Sequence, residues 1–209
     1  MRQGSDRVSD LVAAIEPADD RERAEQDDCL SWLASTSDIY RRQKPATPPK
    51  HLVAYAVLLD QWRGSIFLVD HRLAGSWLPA GGHVEPGEDP LACARREVFQ
   101  ELGIDADFCI AGEVPAFLSV TRTTDVAGPQ ASAEDSTAHQ QHTDVSFWYL
   151  LSGAVGMRIS LDEREFSGGR WWTAAEIESA GPATFDPCLG RFLVKVRSLL
   201  GVSWPRNHP

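Results

Sequence analysis

Apolar and polar positions alternate in different rhythms along this chain. Near the start, Leu11, Val12 and Ile15 recur at helical spacing until Pro17 interrupts them; residues 19–35 then carry Ala24, Leu30 and Leu33 among acids and arginines. The rhythm changes at residue 51. HLVAYAVLLD (51–60) is a continuous apolar run with β-branched and aromatic members, which predicts a buried strand, and IFLVD (66–70) returns as a second one after the QWRGS turn. TDVSFWYLLS (143–152) predicts a further strand, RWWT (170–173) a short one, and residues near 108–120 another.

Helix signals punctuate these runs. Asp89 as N-cap and Pro90 at the first helical position open a helix that runs to about Leu102 and stops at Gly103. Thr173 opens a second over AAEIESA, and a last helix spans roughly 187–200, with Leu189, Phe192, Leu193, Val196 and Leu200 on one face. Residues 71–88, rich in Gly and Pro, predict a structured loop, and the polar stretch 121–142 a mobile one. Irregular alternation of strands and helices points to a mixed-sheet α/β protein. We expect a helical N-terminal extension (1–44), a stiff proline-rich linker (45–50) and one domain (51–204).

Charge narrows the partners. The formal net charge is −10, which repels a polyphosphate chain at long range and argues against a nucleic-acid polymer. A small phosphorylated substrate fits, because a divalent cation reverses the local charge of an acidic site. Cys29, Cys93, Cys109 and Cys188 form no CxxC pair, so we expect reduced thiols and no zinc cluster of cysteines. The opening residues lack the apolar core of a signal peptide, and the longest apolar run (52–59) is too short for a bilayer. A cytoplasmic protein without membrane contact is the expectation.

Candidate chemistry concentrates on the helix after Asp89. Leu91, Ala94, Val98 and Leu102 form its buried stripe, and Glu97 and Glu101 lie one turn apart beside it. Carboxylates at this spacing repel one another unless a hard cation such as Mg²⁺ sits between them. Upstream, Gly81, Gly82 and Gly87 permit backbone turns that bring a phosphate close to main-chain N–H groups, and His83 could touch one. Arg96 stands beside the carboxylates and would reach Glu88 only if the loop folds back. Taken singly, a Glu pair beside an Arg is more often a solvated helix face than a site.

The joint spacing carries more. GHVEPGEDPLACARREVFQELGI (82–104) resembles the box of the Nudix family, matching it at Gly82, Glu88, Arg96, Glu97, Val98, Glu101, Gly103 and Ile104. One position departs: Gln100 stands where the pattern has the first Glu of a pair. The resemblance implies a Nudix-type α/β/α sandwich and hydrolysis of a diphosphate linkage in a nucleoside diphosphate derivative or nucleoside triphosphate. It implies Mg²⁺, or Mn²⁺, as cofactor, and Arg96, Glu97 and Glu101 as the catalytic set. The ligands it points to are Glu97, Gln100, Glu101 and Gly82, with a late-loop acid, Glu165 or its neighbour Glu163. The amide oxygen of Gln100 can coordinate the ion with one negative charge fewer. Ser119 and Thr121 stand where subfamily marks would be, so the substrate stays open, as does a homodimer. A nucleotide sensor without turnover is the alternative reading. HQQH (139–142) reads as surface rather than a ligand pair. Trp77, Phe147, Trp148, Tyr149, Trp171 and Trp172 read as mostly core, and Arg122 as a weaker candidate for a phosphate clamp.

Overall fold

Strand β1 (Lys50–Asp60) is the axis of the molecule, and its alternation decides the layering. Leu52, Ala54, Ala56 and Leu58 face one layer, while Tyr55, Val57 and Leu59 face the other. The computed structural model describes residues 2–43, 47–124 and 141–201. Within them the elements run α1 (Arg2–Ala14), α2 (Asp20–Ser35), β1, β2 (Ser65–His71), β3 (Ser76–Leu78), β4 (Ala80–His83), α3 (Pro90–Leu102), β5 (Phe117–Thr124), β6 (Gln141–Ser152), β7 (Phe166–Thr173), α4 (Ala174–Ala180) and α5 (Leu189–Leu200).

The strands form one mixed sheet in the order β3-β2-β1-β6-β5, with β4 adding to β1 and β7 to β2. Only β1 and β6 run parallel among these pairs, with Leu52 opposite Val145 and Leu58 opposite Leu151. Both are buried on two faces, which is why their sequences are nearly unbroken apolar runs. Helices α1, α2 and α3 cover one face and α4 and α5 the other, giving an α/β/α sandwich.

The N-terminal helices join the main core rather than standing apart from it. Val8, Val12, Ile15, Cys29 and Leu33 are buried with Leu52, Val98 and Phe147 in one cluster. Gln26 donates to the Val12 and Ile15 carbonyls (2.6 and 2.9 Å), satisfying groups that the end of α1 leaves open.

Three expectations change. Residues 71–88 contain two short strands, β3 and β4, because pairing with β2 and β1 supplies hydrogen bonds that no local pattern advertises. Around Phe108 only an isolated bridge to Leu151 forms, and β5 begins at Phe117. The polar residues 121–124 continue β5, and 141–142 begin β6, since each strand pairs with the other up to Thr124 and Gln141. Residues 125–140, the rest of the expected mobile loop, lie outside the described residues, as do residues 44–46 and 202–209. No helix among the described residues is long and apolar enough to cross a membrane.

Candidate active site

Helix α3 is built by strong local signals. Asp89 Oδ1 accepts from the Leu91 amide (2.9 Å), Pro90 opens the first turn, and Gly103 ends the helix at φ +67° while donating to the Phe99 carbonyl. Its buried side carries Cys93, Ala94, Val98 and Leu102, and Glu101 is drawn in with them at 7% exposure.

Strand β4 meets this helix through glycines. Gly81 N–H donates to Glu101 Oε2 (3.0 Å). A Cβ on Gly82 would fall 2.7 Å from the Glu97 carboxyl carbon, so only glycine lets strand and carboxylate approach this closely. The loop between them folds back after all. Arg96 pairs with both oxygens of Glu88 (2.8 and 2.9 Å), and the same guanidinium donates to Glu97 Oε1 (2.8 Å), Gln100 Oε1 (3.4 Å) and the His83 carbonyl (3.3 Å).

A second segment completes the site from a distance in sequence. Ser160 N–H donates to the Leu102 carbonyl (2.9 Å) and Asp162 N–H to the Glu101 carbonyl (3.1 Å), occupying acceptors at the end of α3. This docks the loop so that Glu165 reaches the same cavity of about 420 Å³ as Glu97, Gln100 and Glu101, with Asp162 and Arg164 on its rim. Glu163 does not line it; its carbonyl accepts from Arg72 instead (3.2 Å). Asp162 and Arg164 were not singled out from sequence, because only the docking of this loop reveals them.

The electrostatics describe a place for a cation. Burial, then the neighbouring Glu97, push the Glu101 carboxyl up to about 8 against the Gly81 hydrogen bond. Burial also raises Glu97, outweighing Arg96, so the arginine does not by itself keep that group ionised at its ordinary range. At Glu88 burial is overcome by the Arg96 pair, and its carboxyl lies below its usual range. Buried carboxylates that resist carrying charge together are the donor set a hard divalent ion needs. The residues present therefore fit a hard divalent cation, which Glu97, Glu101, Gln100 and Glu165 around the cavity would hold.

Other candidates sit elsewhere. Phe147, Trp148 and Tyr149 are wholly buried, Trp172 nearly so, and Trp77 packs edge-on against Trp172. Trp171 packs against Phe67 beside a second cavity of about 380 Å³. Arg122 is exposed on β5. His142 is 4% exposed in β6, not on a surface loop, because the β5–β6 ladder extends to it; His139 lies outside the described residues. The His83 ring points away from the carboxylates, and burial, then the nearby Arg41 charge, bring it down to about 3.

Comparison with known proteins bears on this geometry. The family model described as NUDIX domain matches residues 49–193. The chain belongs to the Nudix family. As a Nudix enzyme it is a diphosphatase acting on nucleotide diphosphate derivatives, and members generally use a divalent metal. An RNA pyrophosphohydrolase of Roseobacter denitrificans is 30% identical over 128 residues, 58% of this chain and 76% of that protein. Among solved structures, a NUDIX-family hydrolase from Clostridium perfringens superposes with a TM-score of 0.46 at 17% identity, covering 72% of this chain and 96% of that one. The E. coli dihydroneopterin triphosphate pyrophosphohydrolase gives 0.47 at 17% identity, with 78% and 99% covered.

Proposed function

We propose that this Nudix protein hydrolyses a diphosphate linkage in a nucleoside diphosphate derivative or nucleoside triphosphate, using Mg²⁺ held by Glu97, Glu101, Gln100 and Glu165. The observation that carries the reading is the convergence of these four side chains on one cavity beside the Gly81–Gly82 strand. When bound, the cation supplies Lewis acidity, neutralising phosphate oxygens and lowering the pKa of water. One carboxylate of the set, Glu97 or Glu101, would accept the proton of the attacking water. Arg96 positions Glu97 and ties it to Glu88, so the loop and helix stay in register. Gly81 and Gly82 let β4 lie close against Tyr55 and the Glu97 carboxylate, where a Cβ would clash. No covalent nucleophile is required.

The test is a panel of nucleoside triphosphates, nucleotide sugars, dinucleoside polyphosphates and a short 5′-triphosphorylated oligoribonucleotide, assayed with Mg²⁺ or Mn²⁺. The oligoribonucleotide belongs on it because of the pyrophosphohydrolase relative. Turnover that falls at least about a hundredfold in Glu101→Gln, with an unchanged circular dichroism spectrum, supports the reading. Saturable binding without turnover of any member would instead favour a sensor, the outcome that Gln100 motivates.

A further inference from the structure

Three imidazoles and a carboxylate meet on the opposite face of the sheet from Glu97 and Glu101. Odd positions of β1 and β4 and even positions of β6 share that face, so His51, His83, His142 and Asp144 converge where the three strands run side by side. His51 lies opposite Asp144 in the parallel β1–β6 register, and His83 opposite Val53 on the other side of β1. One donor atom from each of the four lies within 4.8 Å of all the others.

The spacing is that of a small coordination shell. Asp144 Oδ1 is 3.1 Å from His51 Nε2, 3.4 Å from His142 Nε2 and 4.0 Å from His83 Nε2. Two donors bound to one tetrahedral ion at about 2.0–2.1 Å lie about 3.3–3.4 Å apart. The outer contacts match as well. His51 Nδ1 is 2.8 Å from the Pro48 carbonyl, which can only accept, so Nδ1 donates there and Nε2 is the ring atom turned toward Asp144. Thr123 Oγ1 donates to the other carboxylate oxygen of Asp144 (3.0 Å). Each of these two ligands is thus held from behind, as metal ligands are.

The centre of the cluster is closed to water. The His51 ring is wholly buried, and neither its Nε2 nor Asp144 Oδ1 finds a hydrogen-bond partner of good geometry. A cation placed among these atoms would bind the ring nitrogen and the carboxylate oxygen together in a pocket that water does not reach.

We propose that His51, His83, His142 and Asp144 form a second metal site, for a zinc-class divalent transition ion. Three imidazoles with one carboxylate suit such an ion far better than Mg²⁺, which prefers oxygen. The ion would staple β1, β4 and β6 together at the strand end that carries Gly82. Because Arg96 donates to the His83 carbonyl, it would steady the catalytic loop from behind without touching substrate.

The test is cobalt substitution in the full chain. Protein stripped with a chelator is titrated with Co²⁺ in excess Mg²⁺, which saturates the carboxylate site, and visible d–d absorption reports coordination geometry. We expect one equivalent with the intense bands of a tetrahedral ion. His83→Gln, whose side chain is 28% exposed and tolerates change, and Asp144→Asn should each weaken binding about a hundredfold or more. Glu97→Gln should leave the bands intact. Weak octahedral bands, no cobalt uptake, bands that survive both His83→Gln and Asp144→Asn, or bands lost in Glu97→Gln each overturn the site. Melting curves of the two variants without metal separate loss of ligation from loss of fold.

Discussion

Glu22 and Lys195 meet 2.6 Å apart with their side chains 0% and 6% exposed, joining α2 on one face of the sheet to α5 on the other. The same Glu22 oxygen accepts from the Leu118 amide (3.1 Å) on the edge strand β5. The pair therefore caps an open sheet edge as well as neutralising two buried charges. Glu22→Ala strands the ammonium and the amide together, so we expect a loss of about 3–5 kcal/mol in urea unfolding. The double change Glu22→Met with Lys195→Met should recover much of it, because no isolated charge remains.

Gly82→Ala should separate activity from fold. The new methyl group meets the Glu97 carboxylate, the movable end of a side chain, rather than backbone. We expect a stability cost of about 1–3 kcal/mol but a much larger proportional loss of turnover, since the displaced carboxylate is a proposed ligand. Unfolding curves and kcat measured on the same preparation check this; wild-type kcat would remove Glu97 from the site.

Gln100→Glu tests the departure from the family pattern. Gln100 lines the cavity with the buried Glu101 and the half-buried Glu97, so an added carboxylate strengthens cation binding. We expect the Mg²⁺ concentration for half-maximal activity to fall by about tenfold, a modest share of the Coulomb gain at an effective dielectric near 20. Isothermal titration with Mg²⁺ gives the same comparison without turnover.

Asp186 should make stability depend on pH. Burial, then the charge of Asp144, raise its carboxyl to about 6, against the hydrogen bond from the Cys188 amide (2.7 Å). The folded state then holds this proton more tightly than the unfolded chain. Its contribution is full below the ordinary value of 3.8 and is lost as pH rises through about 6. Asp186→Asn keeps an acceptor for Cys188 and cannot ionise, so it should stabilise the protein by up to about 3 kcal/mol at pH 7.5 and by little at pH 4. Equal gains at both pH values in denaturant titrations would contradict the assignment.

Much of the candidate site was legible in sequence because its parts are local. Asp89, Pro90 and Gly103 determine where α3 begins and ends through groups a few residues away, and Glu97 and Glu101 share a face by helical periodicity alone. The apolar runs of β1 and β6 likewise announced strands buried on both faces. What the tertiary structure decided is everything that depends on pairing across distance. Glu165 rather than Glu163 faces the carboxylates because residues 160–162 dock on the end carbonyls of α3. Gly81 and Gly82 lie in a strand because β1 offers the partner groups. His142, read as surface, is buried beside His51 and Asp144 because the register of β1 on β6 places them there, and no spacing within one segment encodes the alignment of two strands more than eighty residues apart.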